Sequence, residues 1–200
     1  MPRREAGVPP GQGDDHDARA LLDANGLDSG PAELVELLAP GIGIVQAAAA
    51  RVLGADGVRE AIPQLERLAR DPAAEETARV QAAYALARLG VDEGHDLLRE
   101  LARLDHETGP AAVQAAAALA ALGDPVGFDV VQRALESPNR LTAMVAAKQL
   151  HAFADLDVEL DDAWARVLGR PERPVVGEAL AQLAALPPDR AAAIEARARS

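Results

Sequence analysis

The stretch VQAAYALARLG at residues 80–90 recurs as VQAAAALAALG at residues 113–123, 33 positions later. Related phrases end at Gly54 (IVQAAAARVLG) and at Ala154 (MVAAKQLHAFA), and a weaker copy, GEALAQLAALP, covers residues 177–187. A period in this range is typical of helical repeat proteins, in which one helix pair buries its apolar face against the next pair. The recurrence therefore predicts a series of stacked helix pairs.

Each repeat contains the pattern of two amphipathic helices. Val80, Ala83 and Leu86 recur at three-residue intervals, which predicts one buried face on the first helix. Gly90 is expected to end this helix, because glycine readily adopts the left-handed conformation found after helix ends. The leucines within residues 97–104 predict a second helix.

The composition supports an all-α fold. Hydrophobic residues make up 49% of the 200 residues, but aromatic residues only 2%, and roughly a quarter of the chain is Ala. Ala is the strongest helix former and buries little apolar area, so stability must come from many helix contacts. The absence of Cys excludes disulfides and thiolate chemistry. No run approaches the ~20 apolar residues that span a bilayer, and a cytoplasmic location is expected.

The chain is expected to have two parts. Residues 1–16 are rich in Pro, Gly and charge, and they predict a disordered N-terminal tail. Residues 17–200 carry the predicted helices. The last segment, PPDRAAAIEARARS (187–200), predicts a polar helix that covers the open end of the repeats. Asp124-Pro125 and Ser137-Pro138 each place a capping oxygen before a proline at a predicted helix start.

The segments 80–104 and 113–136 resemble HEAT repeats, in particular the short bacterial kind named after phycobilisome lyases. The resemblance covers about residues 31–186 and implies a right-handed all-α solenoid of about five antiparallel helix pairs. The sequence departs from the family where Gln replaces a usual Arg. The residues that match are Val80, Ala82, Ala83, Ala85, Leu86, Leu89 and Gly90, with Ala61, Ile62, Pro63, Leu65 and Leu68 in an earlier copy, and the substituted positions are Gln46, Gln81 and Gln114.

Family members include chromophore lyases, metal-dependent hydroxylases, relatives of DNA glycosylases and plain scaffolds. A net charge of −12 and few aromatic residues disfavour nucleic acid and anionic membranes as partners. Only His106-Glu107 forms a His-Glu pair, and a metal centre needs several such ligands, so no metal or other cofactor is predicted. No special His constellation supports lyase chemistry.

The resemblance implies that the second helices line the concave side of the solenoid. Their polar residues mix acids and arginines, a pattern that suits a protein or peptide partner. Trp164 has two interpretations, as a partner anchor or as a core residue. The candidate partner-binding residues are Gln64, Arg67, Asp96, Arg99, Arg103, Asp129, Arg133, Glu136 and Trp164.

The sequence thus predicts a non-catalytic scaffold that binds another protein along this face. Two alternatives stay open: an accessory subunit or lyase-like factor that assists an enzyme, and a homo-oligomer that assembles through its end repeats.

Overall fold

The computed structural model describes residues 12–27, 30–103, 109–156, 158–171, 173–184 and 186–199. Within these residues the chain forms twelve α-helices, three short 3₁₀ turns and no β-strand, which confirms the all-α class. The helices are α1 (Gln12–Ala24), α2 (Pro31–Glu36), α3 (Gly43–Ala55), α4 (Ile62–Arg70), α5 (Glu76–Arg88), α6 (Asp92–Arg103), α7 (Pro110–Ala121), α8 (Phe128–Leu135), α9 (Arg140–Gln149), α10 (Leu160–Leu168), α11 (Arg173–Leu183) and α12 (Pro188–Ala198). The 3₁₀ turns cover Arg59–Ala61, Pro125–Gly127 and Leu150–Phe153.

The chain divides into two compact units, unit 1 (residues 1–94) and unit 2 (residues 95–200), and their boundary falls within α6. In unit 1, α5 packs against α3 and α4, while α1 and α2 both pack against α3. The core of this unit contains many Ala side chains and a few fully buried leucines, among them Leu22, Leu53 and Leu86. Small side chains allow helices to pack closely, which explains how so much Ala can build a core.

Unit 2 repeats the same packing. The first helix of each later pair contacts both helices of the pair before it: α9 packs against α7 and α8, and α11 packs against α9 and α10. The C-terminal helix α12 packs against α10. From α3 onward the helices form five consecutive pairs, as the resemblance implies. The right-handed superhelix stays a prediction.

Glycines have two different roles in this fold. Gly90 and Gly123 follow α5 and α7 with φ of 78° and 84°, and these values confirm that they end the first helices. Gly54 closes the corresponding phrase in the sequence, but it does not end its helix. It lies inside α3, and a Cβ there would be 2.7 Å from the Cα of Ala85 on α5. Gly54 is therefore required for close helix approach, and Gly57 (φ 71°) follows the end of α3.

The first helix begins earlier than expected. Helix α1 starts at Gln12, so residues 12–16 do not belong to a tail, while residues 1–11 lie outside the described part of the chain. Asp15 explains the difference, because its carboxylate accepts hydrogen bonds from Arg51 on α3 and Arg88 on α5, both at 2.9 Å. A tertiary contact of this kind stabilises a helix whose own sequence carries no clear start signal.

One of the two expected caps is present. Asp124 accepts a hydrogen bond from the Val126 N–H (3.0 Å) and caps the 3₁₀ turn that leads into α8. Ser137 does not cap a helix. Helix α9 begins at Arg140 instead, and its cap is Asn139, whose Oδ1 accepts from the Leu141 N–H at 2.9 Å.

Candidate partner-binding site

The second helices share a strict register. Leu65 on α4, Leu98 on α6, Val131 on α8 and Trp164 on α10 follow one another at intervals of 33 residues, and none is more than 1% exposed. This register identifies the buried face of each second helix. The opposite face carries the charged residues that the sequence predicted as a partner surface.

Trp164 is a core residue. Its side chain is 1% exposed and is the largest among the fully buried ones in the described part of the chain. Its place in the candidate partner-binding set is therefore wrong, because a buried indole cannot anchor a partner. The sequence held a signal for this outcome, since Trp164 occupies the position of Leu98 and Val131 in its own repeat. The indole Nε1 is buried without a hydrogen-bond partner among the described residues.

Two candidate residues lie on α4 in unit 1. Arg67 is exposed, and its Nε donates only to the Pro63 carbonyl of the same helix, at 3.3 Å. Gln64 is partly buried, and its Oε1 has no hydrogen-bond partner within the described residues. Of the two, Arg67 is the better placed to contact another molecule.

The candidate residues of α6 lie in unit 2. Asp96, Arg99 and Arg103, together with Glu100, line a shallow open pocket of about 340 Å³. The guanidinium of Arg99 is already bound within the protein, because it donates hydrogen bonds to the Asp124 carboxylate at 2.7 and 3.1 Å. Asp96 and Arg103 remain exposed. Besides the Arg99–Asp124 pair, the pocket therefore offers a partner the exposed carboxylates of Asp96 and Glu100 and the exposed guanidinium of Arg103.

The Arg99–Asp124 pair affects the protonation of both groups. The hydrogen bond with Asp124 and its charge raise the pKa of the Arg99 guanidinium. Burial alone would raise the pKa of the Asp124 carboxyl. The hydrogen bond from the Val126 N–H, together with the hydrogen bond and charge of Arg99, outweighs burial, so the pKa of Asp124 lies below its ordinary value. Asp124 therefore stabilises the fold in its ionised form.

We expect Asp124→Ala to lower the free energy of unfolding by about 1–2 kcal/mol at neutral pH, because it removes both the cap and the ion pair. Since the pKa of Asp124 is lowered by folding, its contribution is complete above the unfolded pKa of about 3.9 and is lost as the pH falls through the folded value. Urea titrations at neutral pH and below about pH 4 measure the difference.

Asp96→Ala is the matched control for this prediction. Asp96 also contacts Arg99, but at 3.4 Å and with a side chain that is 76% exposed. Such a pair contributes at most about 0.5 kcal/mol. The prediction is contradicted if the loss of unfolding free energy in Asp124→Ala is the same at both pH values. It is also contradicted if that loss is no larger than the loss in Asp96→Ala.

The candidate residues of α8 are the most exposed ion pair of the set. Asp129 and Arg133 have side chains 68% and 64% exposed, and they approach each other to 3.4 Å one turn apart. Glu136 follows the last residue of α8 and is exposed. Pairs of this kind are weak, so both charges can change partner at little cost.

Many other arginines link neighbouring repeats, a role that sequence reasoning missed. Arg59 donates to the Leu89 carbonyl at the end of α5 (2.8 Å), and Arg190 on α12 donates to Asp161 on α10 (2.9 Å). Each link joins residues about one repeat apart. The contacts at this spacing are Arg19–Asp56, Arg51–Gln81, Arg59–Leu89, Arg70–Glu93, Arg99–Asp124, Arg170–Ser137, Arg190–Asp161 and Arg197–Asp162.

The Gln residues at the family's Arg positions behave differently from one another. The Nε2 of Gln46 donates to the Ala39 carbonyl at 2.9 Å and to the Leu38 carbonyl at 3.2 Å. The Oε1 of Gln81 accepts from Arg51, whereas the Oε1 of Gln114 is buried without a partner in the described chain. Gln46 thus connects α3 to the segment after α2, and Gln81 connects α5 to α3.

A family model for HEAT repeats matches residues 31–113, which include α2 to α6 and the start of α7. Residues 31–113 of the chain are HEAT repeats. No curated protein matches it. HEAT repeats are commonly protein-interaction scaffolds, and this family-level role agrees with the stacked pairs and the exposed charges of the second helices.

Among the described residues, no three His, Asp or Glu side chains are grouped so that they could hold a metal ion, and His106 and Glu107 lie outside that part of the chain. No helix there combines the length and the apolar character needed to cross a bilayer.

Proposed function

We propose that this HEAT-repeat protein is a non-catalytic scaffold that binds a partner protein through the exposed face of its second helices. In unit 2 this face is defined by Asp96 and Arg103 on α6, by Asp129 and Arg133 on α8, and by Glu136 after α8. A surface of alternating charges fits a protein or peptide partner better than a polyanion. The net charge of −12 also disfavours phosphate backbones.

One observation supports the proposal above the others. Eight arginines link neighbouring repeats, whereas within the described residues Arg103 makes no ion pair and Arg133 makes only its long contact with Asp129. Exposed arginines on the second helices that are not needed for packing are suited to bidentate contacts with a partner's carboxylates. Arg67 on α4 has the same character in unit 1.

The test is affinity capture from the native cell with the full chain as bait. We expect the double reversal Arg103→Glu plus Arg133→Glu to reduce capture of the partner at least about tenfold, because reversed charges repel the carboxylates that the native arginines attract. Arg99 is left unchanged, since its reversal would break the contact with Asp124 and disturb the fold.

The control variant, Arg140→Glu plus Arg173→Glu, reverses the charge at two exposed arginines on first helices. These residues begin α9 and α11, where a negative charge is favourable to the helix, so the fold is retained. Both double variants change the net charge equally. Undiminished capture by the first variant, or equal loss in both, would refute binding through the second helices.

A further inference from the structure

The C-terminal helix α12 is held on α10 by two ion pairs and one apolar side chain. Arg190 donates to the Asp161 carboxylate at 2.9 Å, and Arg197 donates to the carboxylate of Asp162. Ile194 lies between the two arginines in sequence, and it is the one buried residue among the described residues of α12. Positions i, i+4 and i+7 lie on the same face of a helix. Arg190, Ile194 and Arg197 therefore form one docking face.

The docking face holds α12 weakly. The side chains of the Arg190–Asp161 pair are 36% and 40% exposed, and those of the Arg197–Asp162 pair are 57% and 46% exposed. Ion pairs with this exposure contribute little, because water screens both charges. An open cavity of about 230 Å³ also remains beside them, lined by residues 158–162 and by the two arginines. We therefore expect α12 to detach while the rest of unit 2 stays folded.

The docking face is specific for the start of α10. Asp161 and Asp162 lie in the first turn of that helix, where negative charge is favourable. Arg190 lies in the first turn of α12, where positive charge opposes the helix dipole. Its place is therefore explained by the contact with Asp161 and not by the stability of α12. A molecule that replaces α12 on this surface must present the same charges and the same apolar side chain, and a second copy of the chain does so.

The connection before α12 allows this helix to reach another molecule. Helix α11 ends at Leu183 and α12 begins at Pro188, and within the described residues no extensive packing joins the two helices. Pro187 has φ −54° and ψ 136°, which is the extended conformation favoured before a second proline. Helix α12 can thus turn away on a short extended segment without disturbing α11. Exchange of such an element between identical chains is a low-cost route to a dimer.

We propose that two copies of the chain exchange α12, so that Arg190 and Arg197 of each copy pair with Asp161 and Asp162 of the other. The exchanged dimer contains the same docking contacts as the monomer. Its formation costs only the opening of the connection and the loss of freedom on association, so it forms at high protein concentration. The inference is independent of the proposed scaffold function, because none of the residues named for that function takes part.

Two full-length variants test the exchange by complementation. Variant A, Asp161→Asn plus Asp162→Asn, has an intact α12 and a neutral docking surface on α10. Variant B, Arg190→Gln plus Arg197→Gln, has an intact surface and a neutral docking face on α12. Isotope-labelled variant B is titrated with unlabelled variant A, and the amide NMR signals of Asp161 and Asp162 are followed. We expect saturable shifts, because variant A supplies the docking helix that variant B lacks.

The charge-matched control is variant A with the added change Ile194→Ser, which keeps the net charge and removes the apolar side chain of the docking face. We expect it to bind variant B at least about tenfold more weakly than variant A does, because the contact loses its one buried aliphatic side chain. Absence of saturable shifts with variant A, or equal affinity of the two titrants, overturns the exchange.

The unchanged chain gives a second readout. Its mean mass in static light scattering should rise with protein concentration, whereas variants A and B should each remain monomeric when measured alone. A wild-type mass that stays that of one chain at every concentration, or an equal rise in variant A, contradicts the proposal. Neither result affects capture through Arg103 and Arg133, so the exchange and the scaffold function succeed or fail separately.

Discussion

Trp164→Ala is expected to lower the free energy of unfolding of unit 2 by about 3–5 kcal/mol, because it leaves a large cavity in a core built mainly from Ala. Trp164 is 1% exposed and is the largest fully buried side chain in the described part of the chain, so its removal empties a large buried volume. Urea unfolding followed by far-ultraviolet circular dichroism measures the loss, since the variant no longer contains a tryptophan.

The control for this substitution is Trp164→Leu, which places in α10 the residue that α4 and α6 carry at the same register position, Leu65 and Leu98. We expect it to retain more stability than the Ala variant. It removes less volume, and it also removes a buried indole N–H that has no hydrogen-bond partner in the described chain. A loss below about 1 kcal/mol for Trp164→Ala would contradict the placement of this side chain in the core.

Gly127→Ala is expected to destabilise unit 2 by about 1–3 kcal/mol, whereas Gly177→Ala is expected to stabilise it by about 0.5–1 kcal/mol. A Cβ at Gly127 would lie 2.6 Å from both the Cα and the Cβ of Ala116 on α7, so the backbone of one helix must move. A Cβ at Gly177, inside α11, meets nothing within 4 Å and only improves helix propensity.

The two glycine variants are compared through the emission of Trp164, the single tryptophan of the chain, which lies in the same unit. Its buried indole should emit at longer wavelength when urea unfolds unit 2, and the two urea midpoints should move in opposite directions. Equal or higher stability of the Gly127 variant would show that α7 does not approach the start of α8 as closely as the structure has it.

The roles of the close-packed glycines could be predicted only in part from the local sequence. Gly94 and Gly127 are 33 residues apart and occupy the position of the fully buried Ala61, and each meets backbone atoms of a neighbouring helix. The period was visible in the sequence, but a glycine near a helix end also fits a cap. Only a partner helix distinguishes the two roles, as the contact of Gly54 with Ala85 shows.

The candidate site was predicted in part. Periodicity placed Arg67, Asp96, Arg103, Asp129 and Arg133 on exposed parts of second helices, because a 3.6-residue repeat separates the two faces of a helix. Periodicity could not show that Arg99, unlike the others, is held by a contact within the protein. The partner of Arg99 is Asp124, which is 25 residues away and belongs to the next repeat.

The sequence by itself determined the helical class, the period near 33 residues and the pairing of helices, because these properties depend on composition and on spacings within one repeat. The tertiary structure alone decided which glycines permit close approach, which arginines link repeats and that Asp15 belongs to a helix. Each of these outcomes depends on atoms contributed by another repeat, and the distance between such atoms is a property of the packed chain.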